Sequence, residues 1–186
     1  MLLKVDDLTG THAVAAVIAG VARAGDIIVL AGDMGAGKTA FAQGFGRALG
    51  VTEPITSPTF TLVHSYPLTH RLTLHHADIY RLDRMSDIAD LALPELASFN
   101  GIVLVEWGDV AGSALGDHLE VRINHLDDRE PDGDDRERTD GDTNDDDTDD
   151  DDFADAGCRE IELRAVGSSW AGRWDRIARG VEPFRC

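Results

Sequence analysis

Residues 32–39 read Gly-Asp-Met-Gly-Ala-Gly-Lys-Thr, which fits the pattern G-x-x-x-x-G-K-[ST]. Gly32, Gly35 and Gly37 let the backbone curl so that successive N–H groups face inward and can cradle an anion. Lys38 brings an ammonium to terminal phosphates, and the Thr39 hydroxyl can take a place on a hard divalent cation. The lining of such a loop runs through Asp33, Met34, Gly35, Ala36, Gly37, Lys38, Thr39 and Ala40. Three other groups of side chains could join it. Ser57, Pro58 and Thr59, with Thr56 before them, place hydroxyls on a segment that Pro54 and Pro58 keep out of a helix. His76, Asp78 and Tyr80 fall on one face of an alternating run. Glu106 closes a run of four apolar residues. The set suits phosphoryl chemistry on a nucleoside triphosphate: donors for phosphate oxygens, oxygens for Mg²⁺, and a carboxylate to align water.

A phosphate loop requires a strand before it and a helix behind it. Residues 26–31 (Asp-Ile-Ile-Val-Leu-Ala) predict a buried strand. Residues 40–49 predict a helix with Phe41, Phe45 and Leu49 on one side, closed by Gly50. Upstream, Val14, Val17, Ile18 and Val21 form a helical stripe over 11–23, with Thr9 or Thr11 as the expected N-cap. Downstream, 59–66 and 72–80 read as the two strands of an antiparallel hairpin turning at 67–69. Period two then puts Leu74, His76, Asp78 and Tyr80 on one face and His75, Ala77 and Ile79 on the other. Because His75 and His76 point opposite ways and no third ligand is suitably spaced, no zinc site is read here.

Two short helices around Pro94 are expected over 83–99. Residues 102–106 have the form of a Walker B strand, which would lie beside the loop strand and bring Glu106 to the metal; Trp107 either stacks or packs. Residues 119–125 and 160–166 alternate as two half-exposed antiparallel strands. The tail at 168–186 reads as an amphipathic helix through Trp170, Trp174 and Ile177, packed on the sheet. Arg173, Arg176 and Arg179 among them leave a partner-facing patch as the other reading.

The chain has 186 residues, a single-domain size, with 42% hydrophobic residues and a formal net charge of −18. Residues 127–155 hold 17 of the Asp and Glu residues against Arg129, Arg136 and Arg138, a net of −14 that leaves −4 for the rest. The acidity therefore belongs to one segment, which repels free nucleic acid and anionic membranes. With Phe153 as its only aromatic, the insert at 127–157 is expected to be disordered. It lacks the glycine spacing and closing Glu of an EF-hand loop. Cys158 and Cys186 have neither metal nor redox spacing, and the start turns acidic at once, unlike a secretory leader. No apolar run is long enough to span a membrane. A cytoplasmic protein is expected.

Gly32 to Thr39, Ser57-Pro-Thr-Phe60, His76-Ala-Asp-Ile-Tyr-Arg81 and Val105-Glu-Trp-Gly108 together resemble the bacterial TsaE (YjeE) family. That family supplies the ATPase component of the machinery that makes N6-threonylcarbamoyladenosine (t6A) at position 37 of tRNA. The resemblance covers about residues 5–126 and 159–180. It implies a single α/β P-loop NTPase domain over 1–180, with a mixed sheet, flanking helices and antiparallel C-terminal strands. It also implies ATP or ADP with Mg²⁺ as cofactors, weak ATPase activity alone, and TsaB- and TsaD-like proteins as partners of an otherwise monomeric chain. Residue by residue, Lys38 would hold phosphates and Thr39 the metal. Ser57, Pro58 and Thr59 would form a switch-like segment with Thr59 toward the γ-phosphate. Asp78 would position metal or water, and Glu106 would hold Mg²⁺ or orient the attacking water. Thr11 would lie on the nucleobase side, and Arg81 is a candidate arginine finger in cis. The family often has Pro after Glu-Trp, where this chain has Gly108, and typical members lack the Asp-rich insert.

Other readings make different demands. A small-molecule or nucleoside kinase needs an arginine-bearing lid, whereas 83–99 holds only Arg84. A GTP-dependent switch needs an Asn-Lys-x-Asp-like guanine reader, which is absent. A nucleotide-stabilised scaffold would tolerate loss of Glu106.

Overall fold

The computed structural model describes residues 1–58, 60–82, 84–126 and 156–186. Among these residues seven strands form one mixed sheet: β1 (Leu2–Asp7), β2 (Ile27–Ala31), β3 (Val63–Pro67), β4 (Thr73–Asp78), β5 (Gly101–Glu106), β6 (His118–His125) and β7 (Ala156–Val166). Their order is β1-β7-β6-β2-β5-β4-β3. The strand before the phosphate loop is central. β2 pairs in parallel with β5 on one side and β6 on the other, and β4 continues the parallel set beyond β5. Antiparallel pairs β3–β4, β6–β7 and β1–β7 complete the two flanks.

Strand parity decides which side chains meet which layer. Ile28 and Leu30 of β2, and Ile102 and Leu104 of β5, face α1 (Leu8–Ala19), α2 (Lys38–Leu49) and α5 (Trp174–Gly180). There they join Val14, Ile18, Phe41, Phe45, Trp170 and Ile177, with the Phe41 and Phe45 rings stacked 6.5 Å apart. Ile27, Val29, Val103 and Val105 point the other way. They meet Ile88 of α3 (Met85–Asp90), Leu93 and Ala97 of α4 (Leu93–Ser98), and Ala111 and Leu115 of the 3₁₀ segment Gly108–Leu115. A sheet covered on both faces explains why β2 and β5 are apolar without alternation.

Several boundaries differ from the expectations. The first helix starts at Leu8, three residues early, because the Asp7 carboxylate, and neither Thr9 nor Thr11, caps it by accepting from Gly10 N–H at 2.8 Å. β1 was not expected; it buries Leu3 and Val5 and pairs with β7. The hairpin strands are shorter than 59–66 and 72–80, so Tyr80 leaves the strand and its face and is half-exposed. β6 is largely buried, not half-exposed, because β2 and β7 enclose it. β7 begins at Ala156, inside the expected 127–157 insert; residues 127–155 lie outside the described residues. Pro94 sits in the first turn of α4, where its missing N–H costs nothing.

The C-terminal helix is also shorter than expected, and Trp170 precedes it, fully buried. Arg173 belongs to no exposed patch. Its guanidinium makes a two-pronged pair with Asp26, Nη1 to Oδ2 at 2.5 Å and Nη2 to Oδ1 at 2.8 Å, and also donates to the Val21 and Ser169 carbonyls. The Trp170 ring lies against it at 4.1 Å. Both charged groups are buried, so each depends on the other for its solvation. Asp26→Ala should therefore cost about 3–5 kcal/mol of stability by leaving a buried guanidinium uncompensated. Urea unfolding checks this, and adding Arg173→Leu should recover part of the loss.

Candidate nucleotide-binding site

β2, β4 and β5 all run toward one edge of the sheet, and the side chains singled out by the sequence collect at their C-terminal ends. This is where open α/β sheets bind ligands. The loop leaves β2 at Gly32, whose φ is +122° and where a Cβ would stand 1.9 Å from the Ile123 carbonyl oxygen. Only glycine fits that close passage over β6. Gly37, at φ +106°, then delivers the chain into α2, whose first residue is Lys38.

Lys38 is nearly fully buried. Its ammonium donates to the Gly32 and Asp33 carbonyls at 2.8 and 2.6 Å and lies 3.6 Å from the centre of the Trp107 ring. Trp107 thus makes a cation–π contact and also packs against the second core layer. The indole is presented by a left-handed backbone at φ +63°, anchored by Trp107 N–H to the Leu30 carbonyl at 2.8 Å. Tyr80 backs it, with ring centres 4.8 Å apart.

Thr39 faces β5. Its hydroxyl lies 3.0 and 3.1 Å from the two oxygens of Glu106. Glu106 Oε1 also accepts from His76 Nε2 at 2.9 Å, and both residues are buried. Parity explains the meeting: Glu106 follows Ile102 and Leu104, and His76 follows Leu74, onto the α2 face. Asp78 stands opposite Glu106 in the β4–β5 register. Its Oδ2 accepts from the Ser57 hydroxyl at 2.5 Å and its Oδ1 from Tyr80 N–H at 3.0 Å. The switch-like segment is thus tied to the second carboxylate through Ser57, with Pro58 buried beside it and its carbonyl accepting from Leu62 N–H at 2.7 Å. Thr59 lies outside the described residues.

Of the remaining expected residues, Met34 is exposed, Ala36 is buried and Ala40 follows Thr39 in α2. Thr11 is buried within α1, its hydroxyl on the Asp7 carbonyl at 3.3 Å. Arg81 stacks 4.8 Å over the exposed Phe60 ring. Two residues at the site escaped sequence reasoning. Arg159 of β7 is buried and donates from Nε to the Ala36 carbonyl at 3.2 Å, so it braces the loop from beyond β6. Asp109, in the turn after Trp107, pairs with Arg122 at 3.1 Å and adds negative charge near Lys38. A lone arginine after an acidic run carries no motif, so only the β6–β7 pairing could have revealed it.

Thr39, Glu106 and Asp78 offer the hard oxygen atoms that Mg²⁺ prefers, and the Thr39–Glu106 contact already brings two of these residues together. Among the described residues no three His, Cys, Asp or Glu side chains form a metal cluster, so a Mg²⁺ ion here would take further ligands from phosphate and water. The donor set fits Mg²⁺ shared with a nucleotide.

A loop between a central strand and a helix, beside a parallel strand tipped by a carboxylate, defines the P-loop NTPase fold. The same architecture appears in the crystal structure of Bacillus subtilis YdiB, which superposes with a TM-score of 0.64 at 27% identity, covering 96% of this chain and 94% of that one. The family described as threonylcarbamoyl adenosine biosynthesis protein TsaE matches residues 5–136. A Bacillus subtilis protein named tRNA threonylcarbamoyladenosine biosynthesis protein TsaE is 40% identical over 121 residues, 64% of this chain and 75% of that one. Its namesake from Treponema pallidum is 43% identical over 94 residues, 50% of this chain and 68% of its own. The chain belongs to the TsaE family. No helix among the described residues is long and apolar enough to cross a membrane.

Burial lowers the Lys38 pKa from its ordinary 10.5, against the upward pull of Glu106, Asp109, Asp33 and Asp78. The ammonium is thus lost at lower pH than that of an exposed lysine. Affinity for an anionic nucleotide should begin to fall before the pH reaches 10.5. Titration calorimetry across that range checks this, and Lys38→Arg, charged throughout, should flatten the alkaline fall.

Proposed function

We propose that this chain is a Mg²⁺-dependent ATP-binding and hydrolysing subunit that supports turnover of TsaB- and TsaD-like partners in tRNA t6A biosynthesis. The observation that carries the chemistry is the Thr39 hydroxyl held against both Glu106 oxygens at the mouth of the phosphate loop. Family membership supports the pathway, and the names of the relatives supply the product. The partners come from the family resemblance, in which a TsaD-like protein transfers the threonylcarbamoyl group and this subunit resets the complex.

Lys38, with backbone N–H groups of the glycine-rich loop, neutralises charge that develops on the transferring phosphoryl. For Lys38 this means exchanging two loop carbonyls for phosphate oxygens while Trp107 keeps its ammonium in place. Thr39 and Glu106 hold the metal side, and Arg159 keeps the loop from yielding by gripping the Ala36 carbonyl. Asp78, oriented by Ser57 and by Tyr80 N–H, aligns the attacking water. Bound Mg²⁺ supplies electrostatic stabilisation of the phosphate oxygens. Arg81 rests on Phe60, so an arginine reaching the γ-phosphate comes from a partner or from its rearrangement.

The test is reconstitution with TsaB- and TsaD-like proteins, tRNA and a threonylcarbamoyl donor. Lys38→Ala should assemble yet stop after the first round of modification. Glu106→Gln should lower ATP turnover by about 10²-fold or more. Unchanged modification with Lys38→Ala refutes the reading, and unchanged ATP turnover with Glu106→Gln favours a scaffold. Removing residues 128–155 should leave ATP turnover within about 3-fold, since none of the site residues above lies in that tract.

A further inference from the structure

His76 is fully buried. Nε2 lies 2.9 Å from Glu106 Oε1, while Nδ1 has no hydrogen-bond partner among the described residues. Because a carboxylate oxygen only accepts, Nε2 carries the proton in this bond. A buried polar ring with one nitrogen left unsatisfied costs stability that leucine or phenylalanine at the same place would not. Its one polar contact must therefore matter to what Glu106 does.

The contact divides the carboxylate. Among the described residues Oε1 takes both the His76 donor and the Thr39 hydroxyl, whereas Oε2 takes only Thr39, at 3.1 Å. His76 also comes from a neighbouring strand in fixed register, opposite Leu104, so it cannot follow Glu106 if that side chain turns. We propose that His76 is a positioning residue that locks the Glu106 carboxylate by its Oε1 edge and thereby leaves Oε2 as the oxygen available to the metal side of the nucleotide. His76 touches neither phosphate nor metal. The inference rests on the metal role given to Glu106 in the proposed function.

The decisive property is the gain in ADP affinity that Mg²⁺ produces, read by titration calorimetry with and without the cation. His76→Leu removes the donor and should reduce that gain by about 10-fold or more, the usual cost of losing an outer partner of a metal-binding carboxylate. Affinity without Mg²⁺ should stay within about 3-fold, which also shows that the phosphate loop is folded. His76→Gln, whose amide N–H reaches the same distance, should restore most of the gain. His76→Asn, polar but too short, should behave like leucine and serves in its place should leucine unfold the protein. In a Glu106→Gln background, His76→Leu should have no further effect on the Mg²⁺ gain.

Three results overturn the proposal: an undiminished gain in the leucine and asparagine variants, a glutamine variant as impaired as leucine, or additive loss in the double variant. A wild-type chain without Mg²⁺ gain, or one in which Glu106→Gln leaves the gain intact, instead overturns the metal role of Glu106 and takes this inference with it.

Discussion

The contact between the Thr39 hydroxyl and the Glu106 carboxylate ties the helix after the phosphate loop to the strand beside it. It depends on two independent registers. β2 and β5 must pair so that Leu30 stands opposite Glu106, and α2 must begin within one residue of Gly37. A slip of one residue in β5 would turn Glu106 to the opposite face, among Val103 and Val105, and remove it from the loop. The apolar runs on both faces prevent such a slip, because each alternate residue is fully buried in its own layer. Core packing thus sets the position of a polar site whose own hydrogen bonds are too few to do so.

The loop, its flanking strand and helix, and the adjacent position of β5 were legible because each rests on local pattern: glycine spacing, a period of 3.6, or an apolar run ended by a carboxylate. The pairing of His76 with Asp78 on one face followed from period two alone. Tyr80 did not obey, since the strand ends at Asp78, where that carboxylate captures Tyr80 N–H. Nor could the sequence show that Arg173 pairs with Asp26 across 147 residues, or that Arg159 reaches Ala36 across 123. Both are long-range contacts made by residues that resemble ordinary surface charges in the sequence. β1 was hidden for a similar reason. Only two of its six residues are buried, a short alternation that becomes a strand because β7 offers it an edge.

Charge is distributed with the same economy. The folded body carries a modest −4, and two sets of its buried charges stand at opposite ends of the central strand. Before β2, Asp26 and Arg173 satisfy each other completely enough to act as a clamp between the start of the strand and the C-terminal segment. After β2, Lys38 donates to two carbonyls, and Glu106 accepts from a hydroxyl and an imidazole.

That difference separates a closed ion pair from charges still open to a ligand. A guanidinium and a carboxylate paired in two-pronged fashion have little left to offer a ligand, and parting them costs several kcal/mol. Carbonyls around an ammonium, or a hydroxyl on a carboxylate, are weaker partners that a phosphate oxygen or a cation can replace at small cost. Lys38 shows the consequence most directly. Its lowered pKa records a buried cation still short of compensating negative charge, despite four acidic residues acting on it. A bound phosphate, as the proposed function requires, would supply that charge. Lys38 held by carbonyls and Glu106 held by a hydroxyl and an imidazole can both trade weak partners for an anion that carries its own metal, as the proposed function requires.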